Sequence, residues 1–178
     1  EINFETSRLN IYVPGPDAAN RMLTYQRKNR QHFAAWSPKR SEAHDTEDFW
    51  RERLVAFGAD LEAGRAIGLV FSEKGDVDQN IIGHINFTQI VRGVFQGCYL
   101  GYGIDVHTQG QGLMTEALAR AIHFVFDELK LHRIMANYMP SNSRSAKVLT
   151  RLGFQVEGEA KDYLFIDGRW EDHVLTSL

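Results

Sequence analysis

Apolar positions along this chain recur with two periods, and the switches between them mark out its elements. Residues 8–13 alternate, with Leu9, Ile11 and Val13 on one side and Asn10 and Tyr12 on the other, which predicts a half-buried strand. Pro14-Gly15-Pro16 stops it, and Asp17 stands where it can cap a helix running to about Arg27. A second short helix is expected over 30–35. Thr46 predicts the cap of a longer one. Glu47 and Asp48 favour its dipole, Phe49, Trp50, Leu54, Phe57 and Leu61 form its apolar face, and Gly64 ends it.

Strands over 66–72, 81–90 and 97–106 then read as an antiparallel meander, with a polar turn at 74–80. Residues 113–129 carry a strong helical pattern, with Leu118, Ile122, Val125, Phe126 and Leu129 on one stripe. A strand is expected over 133–139. Asn142 caps a helix ending at Leu152, with Gly153 at its left-handed stop and Phe154 as apolar follower. Strands 155–165 and 169–175 close the chain, joined by Asp167-Gly168, its strongest hairpin signal.

The order β-α-α-α-β-β-β-α-β-α-β-β predicts a mixed α+β fold: a mostly antiparallel twisted sheet with helices on both faces. The strand–helix–strand unit over 97–139 should be a right-handed parallel crossover. Its loop, 105–112, then lies at the carboxyl end of a strand and the start of a helix, where open sheets bind ligands. With no repeat, low-complexity tract or linker, residues 1–178 read as one domain.

Composition narrows the function. Hydrophobic residues make up 43% and charged residues 24%, a globular balance that excludes disordered and fibrous classes. A net charge of −3 argues against a broad basic face, so direct sequence-specific nucleic-acid binding is not expected. The one cysteine, Cys98, forms no intramolecular disulfide and supports no Cys/His zinc cluster, and no metal site is expected. No apolar run approaches the ~18 residues of a membrane helix, and no signal-peptide pattern opens the chain, so a cytoplasmic protein without membrane attachment is expected. It starts at Glu1 rather than Met, which suggests a trimmed N-terminus.

The candidate chemistry begins at Val106-His107-Thr108-Gln109-Gly110-Gln111-Gly112-Leu113-Met114. Two glycines just before a helix let backbone N–H groups approach a ligand, and the helix start adds partial positive charge. Together these suit a pyrophosphate. Read alone, the segment is also a plain strand-to-helix turn. No Gly-Lys-Ser/Thr follows, so it is not a Walker loop, and Gly101-Tyr102-Gly103 lies inside a strand, so it is not a dinucleotide fingerprint.

The second constellation is Asn142-Ser143-Arg144-Ser145-Ala146-Lys147-Val148-Leu149-Thr150-Arg151-Leu152-Gly153-Phe154. It resembles the second signature of the GNAT superfamily of N-acetyltransferases, and Gln109, Gly112 and Met114 then match that family's glycine-loop pattern. Met114 is a departure, standing where most relatives have a small residue. Thr115-Glu116-Ala117 resembles the branch that acetylates the N-terminal residue of ribosomal proteins. So do Val91-Arg92-Gly93, Cys98-Tyr99-Leu100-Gly101-Tyr102, His132 through Pro140, Lys161-Asp162-Tyr163-Leu164 and Asp172-His173-Val174-Leu175-Thr176.

The resemblance implies the acyl-CoA N-acyltransferase fold with a splayed parallel strand pair. It implies acetyl transfer from acetyl-CoA to the N-terminal α-amine, an alanine, of a small-subunit ribosomal protein or similar peptide, by direct attack in a ternary complex. It implies a cofactor set of Ile104, Val106, Gln109, Gly110, Gln111, Gly112, Leu113, Met114, Thr115, Asn137, Asn142 and Ser145. An acetyltransferase for a small amine and a non-catalytic acyl-CoA-binding module are the alternatives.

An α-amine, with a pKa of about 7.7–8.0, needs less help to attack than a lysine at about 10.4. The thioester oxyanion needs a fixed donor, for which the N–H near Ile104 is the candidate. The family's usual tyrosine acid is replaced by Leu149 and its strand glutamate by Asn137. Ser145 is therefore the candidate for the acid or sulfur-binding role; its plainer reading is a local bond in the first helical turn. Asp105 is the leading candidate for the base, with Asp162 and Glu116 behind it, and Glu116 also reads as a dipole or capping residue. Trp36, Asn86, Tyr99, Asp162 and Tyr163 are the candidates for holding the acceptor, with Phe33 and Tyr25 nearby. His84 and His107 read as structural. Arg27, Lys28, Arg30, Lys39 and Arg40 form a basic stretch, read either as a solvated face or as a transient contact with the ribosome.

Overall fold

The computed structural model describes residues 2–178. Its strands are β1 (Asn3–Glu5), β2 (Leu9–Tyr12), β3 (Ile67–Glu73), β4 (Gly83–Val91), β5 (Gly97–Ile104), β6 (Arg133–Tyr138), β7 (Gln155–Ile166) and β8 (Arg169–Ser177). Its helices are α1 (Ala19–Lys28), α2 (Arg30–Ala34), α3 (Glu47–Glu62), α4 (Leu113–Asp127) and α5 (Ser143–Arg151). The strands form one sheet in the order β1-β2-β3-β4-β5-β6-β8-β7. Among the described residues only β5 and β6 run parallel, joined through α4; the other pairs are antiparallel.

Side-chain alternation assigns the two faces. Leu69 and Phe71 of β3 join Ile85, Phe87, Ile134 and the α4 stripe Leu118, Ile122 and Val125 in the larger core. Val70, between them, faces Met22, Leu23 and Tyr25 of α1 and Trp50 and Leu54 of α3. Each large apolar side chain so buried contributes roughly 1.5–3 kcal/mol. The expected caps hold: Thr46 Oγ1 accepts from the Phe49 N–H at 3.1 Å, and Asn142 Oδ1 from the Ser145 N–H at 3.2 Å. Asp167 and Gly168 both take positive φ, +48° and +86°, as the hairpin turn requires.

Three expectations are corrected, and one irregularity is added to them. A short first strand, β1, precedes the expected one and pairs with it, too brief to leave a periodic signal. Asp17 does not cap α1 but lies inside a 3₁₀ turn, Pro16–Ala18, that leads into it. The helix expected to 129 ends at Asp127. The β7–β8 ladder is broken by irregularities between Val156 and Gly158 and between Ala160 and Leu164.

Candidate active site

β5 and β6 pair only from Gly97 to Leu100, against Arg133 to Ala136, and then diverge. The Asp105 N–H donates to the Ile82 carbonyl on the β4 side at 2.8 Å. Because strand amides alternate in direction, those of Tyr102 and Ile104 point to the opposite edge, into the gap between the diverging strands. The expected splay of the parallel pair is present.

The loop after β5 is a tight turn followed by free donors. Asp105 Oδ1 accepts from the His107 N–H at 2.8 Å, and the Asp105 carbonyl accepts from the Thr108 N–H and hydroxyl, each at 3.0 Å. The Val106 N–H donates to Oδ1 of buried Asn29 at 2.9 Å, so it is not among the amides open to a ligand. Beyond the turn, the N–H groups of Gln109, Gly110, Gln111 and Gly112 have no protein acceptor among the described residues. Gly110 and Gly112 both sit at φ +77°. The first-turn amides of α4, from Leu113, Met114 and Thr115, extend the row. The side chains of Leu113 and Met114 are buried in the core, so the departure at Met114 leaves this backbone intact. A row of free amides at a helix start, open to solvent, fits a pyrophosphate.

Remote side chains hold the loop. Arg8 Nη1 donates to the Gln111 carbonyl at 2.8 Å, and Arg8 Nε to Glu116 Oε2 at 2.7 Å. Glu116 Oε1 accepts from the Thr6 hydroxyl at 2.6 Å, the Ser7 hydroxyl at 3.0 Å and the Arg8 N–H at 2.9 Å. Burial opposes the Glu116 charge, but these bonds outweigh it and hold the carboxyl down at about 2. Glu116 is thus a tether, not a free base. From the α1–α2 corner, Lys28 Nζ lies 2.9 Å from Asp105 Oδ2, and His32 Nε2 shares a hydrogen bond with the Gln109 amide at 2.9 Å.

Asp105 fits poorly as the base. Its carboxylate is buried and occupied by Lys28 and the His107 amide; burial raises its pKa, and those partners more than reverse the effect. A carboxylate so held is a weak proton acceptor.

Across the gap, Ser145 Oγ lies 2.5 Å from Tyr102 Oη. Its side chain therefore does not fold back on its own helix. Burial pushes the Tyr102 hydroxyl up to about 12, against the Ser145 bond and with Tyr138. Leu149 of α5 is core.

On the opposite face Tyr99, Asn137 and Tyr163 come together: burial and then Tyr99 raise the Tyr163 hydroxyl, while Asn137 lowers it. Tyr163 also packs against His173, with ring centres 5.6 Å apart. Asp162 is exposed beside it at φ +47°, its N–H donating to Asp172 Oδ1 at 2.9 Å. Asn86 stands apart from this group, in a small cavity it lines with Gln26, Arg40, Trp50 and His84. Trp36 is 38% exposed beyond α2, whereas Phe33 packs against His84 and Tyr25. His84 is half-buried, shares a 2.7 Å hydrogen bond with Tyr25 Oη, and is pushed down by desolvation and then by Arg40 to about 4, so it is neutral at pH 7. His107 has an exposed place in the 3₁₀ turn.

Four of the five cations of the basic stretch have partners within the molecule. Arg27 and Arg30 both pair with Asp45, Lys28 with Asp105, and Arg40 stacks over Trp50 at 5.1 Å. Sequence reasoning missed Tyr102, Arg8 and His32. Only Tyr102 left a signal, a hydroxyl on the otherwise apolar stripe of Cys98, Leu100 and Ile104.

Comparison with known proteins agrees with this geometry. A family model described as an acetyltransferase (GNAT) domain matches residues 8–155. The [ribosomal protein uS5]-alanine N-acetyltransferase of Escherichia coli is 44% identical over 178 residues, 100% of this chain and 91% of the relative. The ribosomal-protein-S5-alanine acetyltransferase of Vibrio fischeri superimposes with a TM-score of 0.95 at 39% identity, covering 100% and 96% of the two chains. RimJ of Mycobacterium smegmatis, solved in complex with CoA-disulfide, gives a TM-score of 0.89 at 25% identity, covering 96% of this chain and 81% of that one. With its glycine loop, splayed strand pair and full-length likeness, this chain belongs to the GNAT family of acetyltransferases.

Proposed function

We propose that this protein, as one domain over residues 1–178 and in the cytoplasm, transfers the acetyl group of acetyl-CoA to the α-amine of an N-terminal alanine on a small-subunit ribosomal protein. The observation that carries the reading is the 44% identity spanning the whole chain to a ribosomal-protein-alanine acetyltransferase.

Acetyl-CoA supplies the activated acyl group as a thioester. The amides of Gln109 through Thr115 hold its pyrophosphate, and the outward amide of Tyr102 pairs with its pantetheine arm. Asn137 and Asn142 flank that arm on the β6 and α5 sides. The Ile104 N–H meets the oxyanion that forms when the amine attacks the carbonyl. The C–S bond then breaks, its electron pair leaves on sulfur, and the Ser145 hydroxyl donates a hydrogen bond to the departing thiolate. Tyr99, Asp162 and Tyr163 hold the peptide end, with Asn86 and Trp36 at the margins of the same face.

The amine's proton passes to solvent. An α-amine near its pKa of about 7.7–8.0 already supplies enough neutral form at pH 7. Asp105 has no base role in this reading.

The test is mass spectrometry of peptides differing only in the first residue, incubated with acetyl-CoA and the protein. The panel is Ala, Ser, Thr, Gly and a blocked N-terminus with an internal Lys. Acetylation confined to free Ala and its small neighbours is expected. Acetylation of the blocked peptide's Lys, or of none, would overturn the reading.

A further inference from the structure

The family's tyrosine acid is missing from α5, where Leu149 is buried in the core. A phenol nevertheless reaches the same gap from the opposite wall. Tyr102 lies on β5 two residues beyond the last β5–β6 pair, and its Oη is 2.5 Å from Ser145 Oγ. Two hydroxyls in contact share one proton between them, and the second proton points elsewhere. A phenol is the stronger acid of the two, so it is the better donor and the serine oxygen the better acceptor. Tyr102 then donates to Ser145, and the serine's own O–H is left to point into the gap.

We propose that Tyr102 is a positioning residue that aims the Ser145 hydroxyl proton at the thioester sulfur. The inference rests on the acetyl-transfer reading above and deepens it. Without the phenol, Ser145 is a rotor with no fixed direction and can turn its proton toward a backbone carbonyl of its own helix. With it, the donor is preset before the C–S bond breaks, so the growing charge on sulfur meets an oriented dipole. No proton need leave Tyr102. The sulfur departs as a thiolate and takes its proton from solvent. Besides Ser145 from α5, Tyr138 of β6 is the titratable group that faces Tyr102 among the described residues.

The experiment is steady-state kinetics with acetyl-CoA and an N-terminal Ala peptide, on Tyr102→Phe, Ser145→Ala and the double variant. Tyr102→Phe should lower kcat by about fivefold to tenfold, with both KM values within about twofold and the melting temperature kept. Ser145→Ala should lower kcat by more than about tenfold, and adding Tyr102→Phe to it should cost nothing more, since the phenol acts only through the serine. A second measurement does not depend on how Tyr102→Phe folds. Fluorotyrosine at position 102, a more acidic phenol, should bring an alkaline loss of kcat to lower pH, because a phenolate can no longer donate to Ser145.

A Tyr102→Phe enzyme with wild-type kcat, an effect that multiplies with that of Ser145→Ala, or a fluorotyrosine profile that superimposes on wild type would overturn the inference. A wild type that transfers nothing would overturn the acetyl-transfer reading with it, whereas an active wild type with an indifferent Tyr102 sinks this inference alone.

Discussion

The loop after β5 and the β7–β8 hairpin both border the gap, and they are held in opposite ways. The loop is tied down by distant parts of the chain: Thr6, Ser7 and Arg8 from the β1–β2 turn, and Lys28, Asn29 and His32 from the α1–α2 corner. Its own amides at 109–112 stay free. The hairpin is tied mainly to itself, through Lys161 with Glu159 and Asp172 and the Asp162 N–H to Asp172. It forms the edge of the sheet and exposes Val156, Leu164, Phe165 and Trp170. A ligand common to a whole family can be met by backbone, provided that backbone is rigid. A variable acceptor must be met by side chains, and an edge hairpin can change these without disturbing the core.

The sharpest way to break the first half of this contrast is at Gly112. Its φ of +77° costs a non-glycine residue about 1–2 kcal/mol, and a β-branched one more. A side chain there would also stand among the free amides, with Arg8 Nη2 already 3.5 Å from the Cβ position. Gly112→Val should weaken acetyl-CoA binding by at least about tenfold, or ~1.4 kcal/mol, measured by titration calorimetry. Unchanged affinity would mean that the amides are not the binding element.

The second half is tested at Tyr163. Tyr163→Ala should raise the peptide KM by about fivefold to tenfold, on the order of 1 kcal/mol, and leave the acetyl-CoA KM alone. An equal rise in both would show that the two sides are not separable.

A smaller effect is expected from the tether. Glu116→Gln removes the charge that Arg8, Thr6 and Ser7 converge on and should cost about 2 kcal/mol, lowering Tm by roughly 4–8 °C. The acetyl-CoA KM should rise about threefold as the loop loosens. The Glu116 carboxyl is depressed to about 2 in the fold, so its contribution is complete above the unfolded value of about 4.3 and is lost as pH falls toward 2. The stability gap between wild type and Glu116→Gln should therefore be full at pH 7 and close between about pH 4 and pH 2 in acid-denaturation curves. A gap independent of pH would show that the carboxylate's charge is not what matters.

The same contrast explains what could be read from sequence. The loop was legible because Gly110 and Gly112 are demanded by backbone conformation, and Asn142 and Thr46 by capping geometry, so residue type and structure are bound together locally. The partners that fix the loop were not legible. Arg8 and Glu116 lie 108 residues apart, and Asn29 and Val106 77, and no local periodicity reports such pairs. Asp105 looked like a free carboxylate at a strand end for this reason; Lys28, its partner, is equally distant in sequence. Tyr99, Asn137 and Tyr163 were each picked out singly, but their meeting depends on β6 lying between β5 and β8, which is a property of sheet order.

The weakest effect expected belongs to the basic stretch, whose reading changes most between sequence and structure. Five cations in 27–40 suggest a contact with RNA, but four of them are already engaged: Arg27 and Arg30 with Asp45, Lys28 with Asp105, and Arg40 over Trp50. An exposed cation paired at close range projects little field beyond a Debye length of about 8 Å. Lys39 is the one of the five with no such contact among the described residues, and changing a single exposed charge alters the field of the whole surface little. Lys39→Glu should therefore change turnover by less than about twofold on a short Ala peptide and on the intact ribosomal protein alike. Loss of rate on the protein substrate, with the peptide rate kept, would show that this corner does meet the larger partner and that the acceptor surface extends past the hairpin onto the α2–α3 connection.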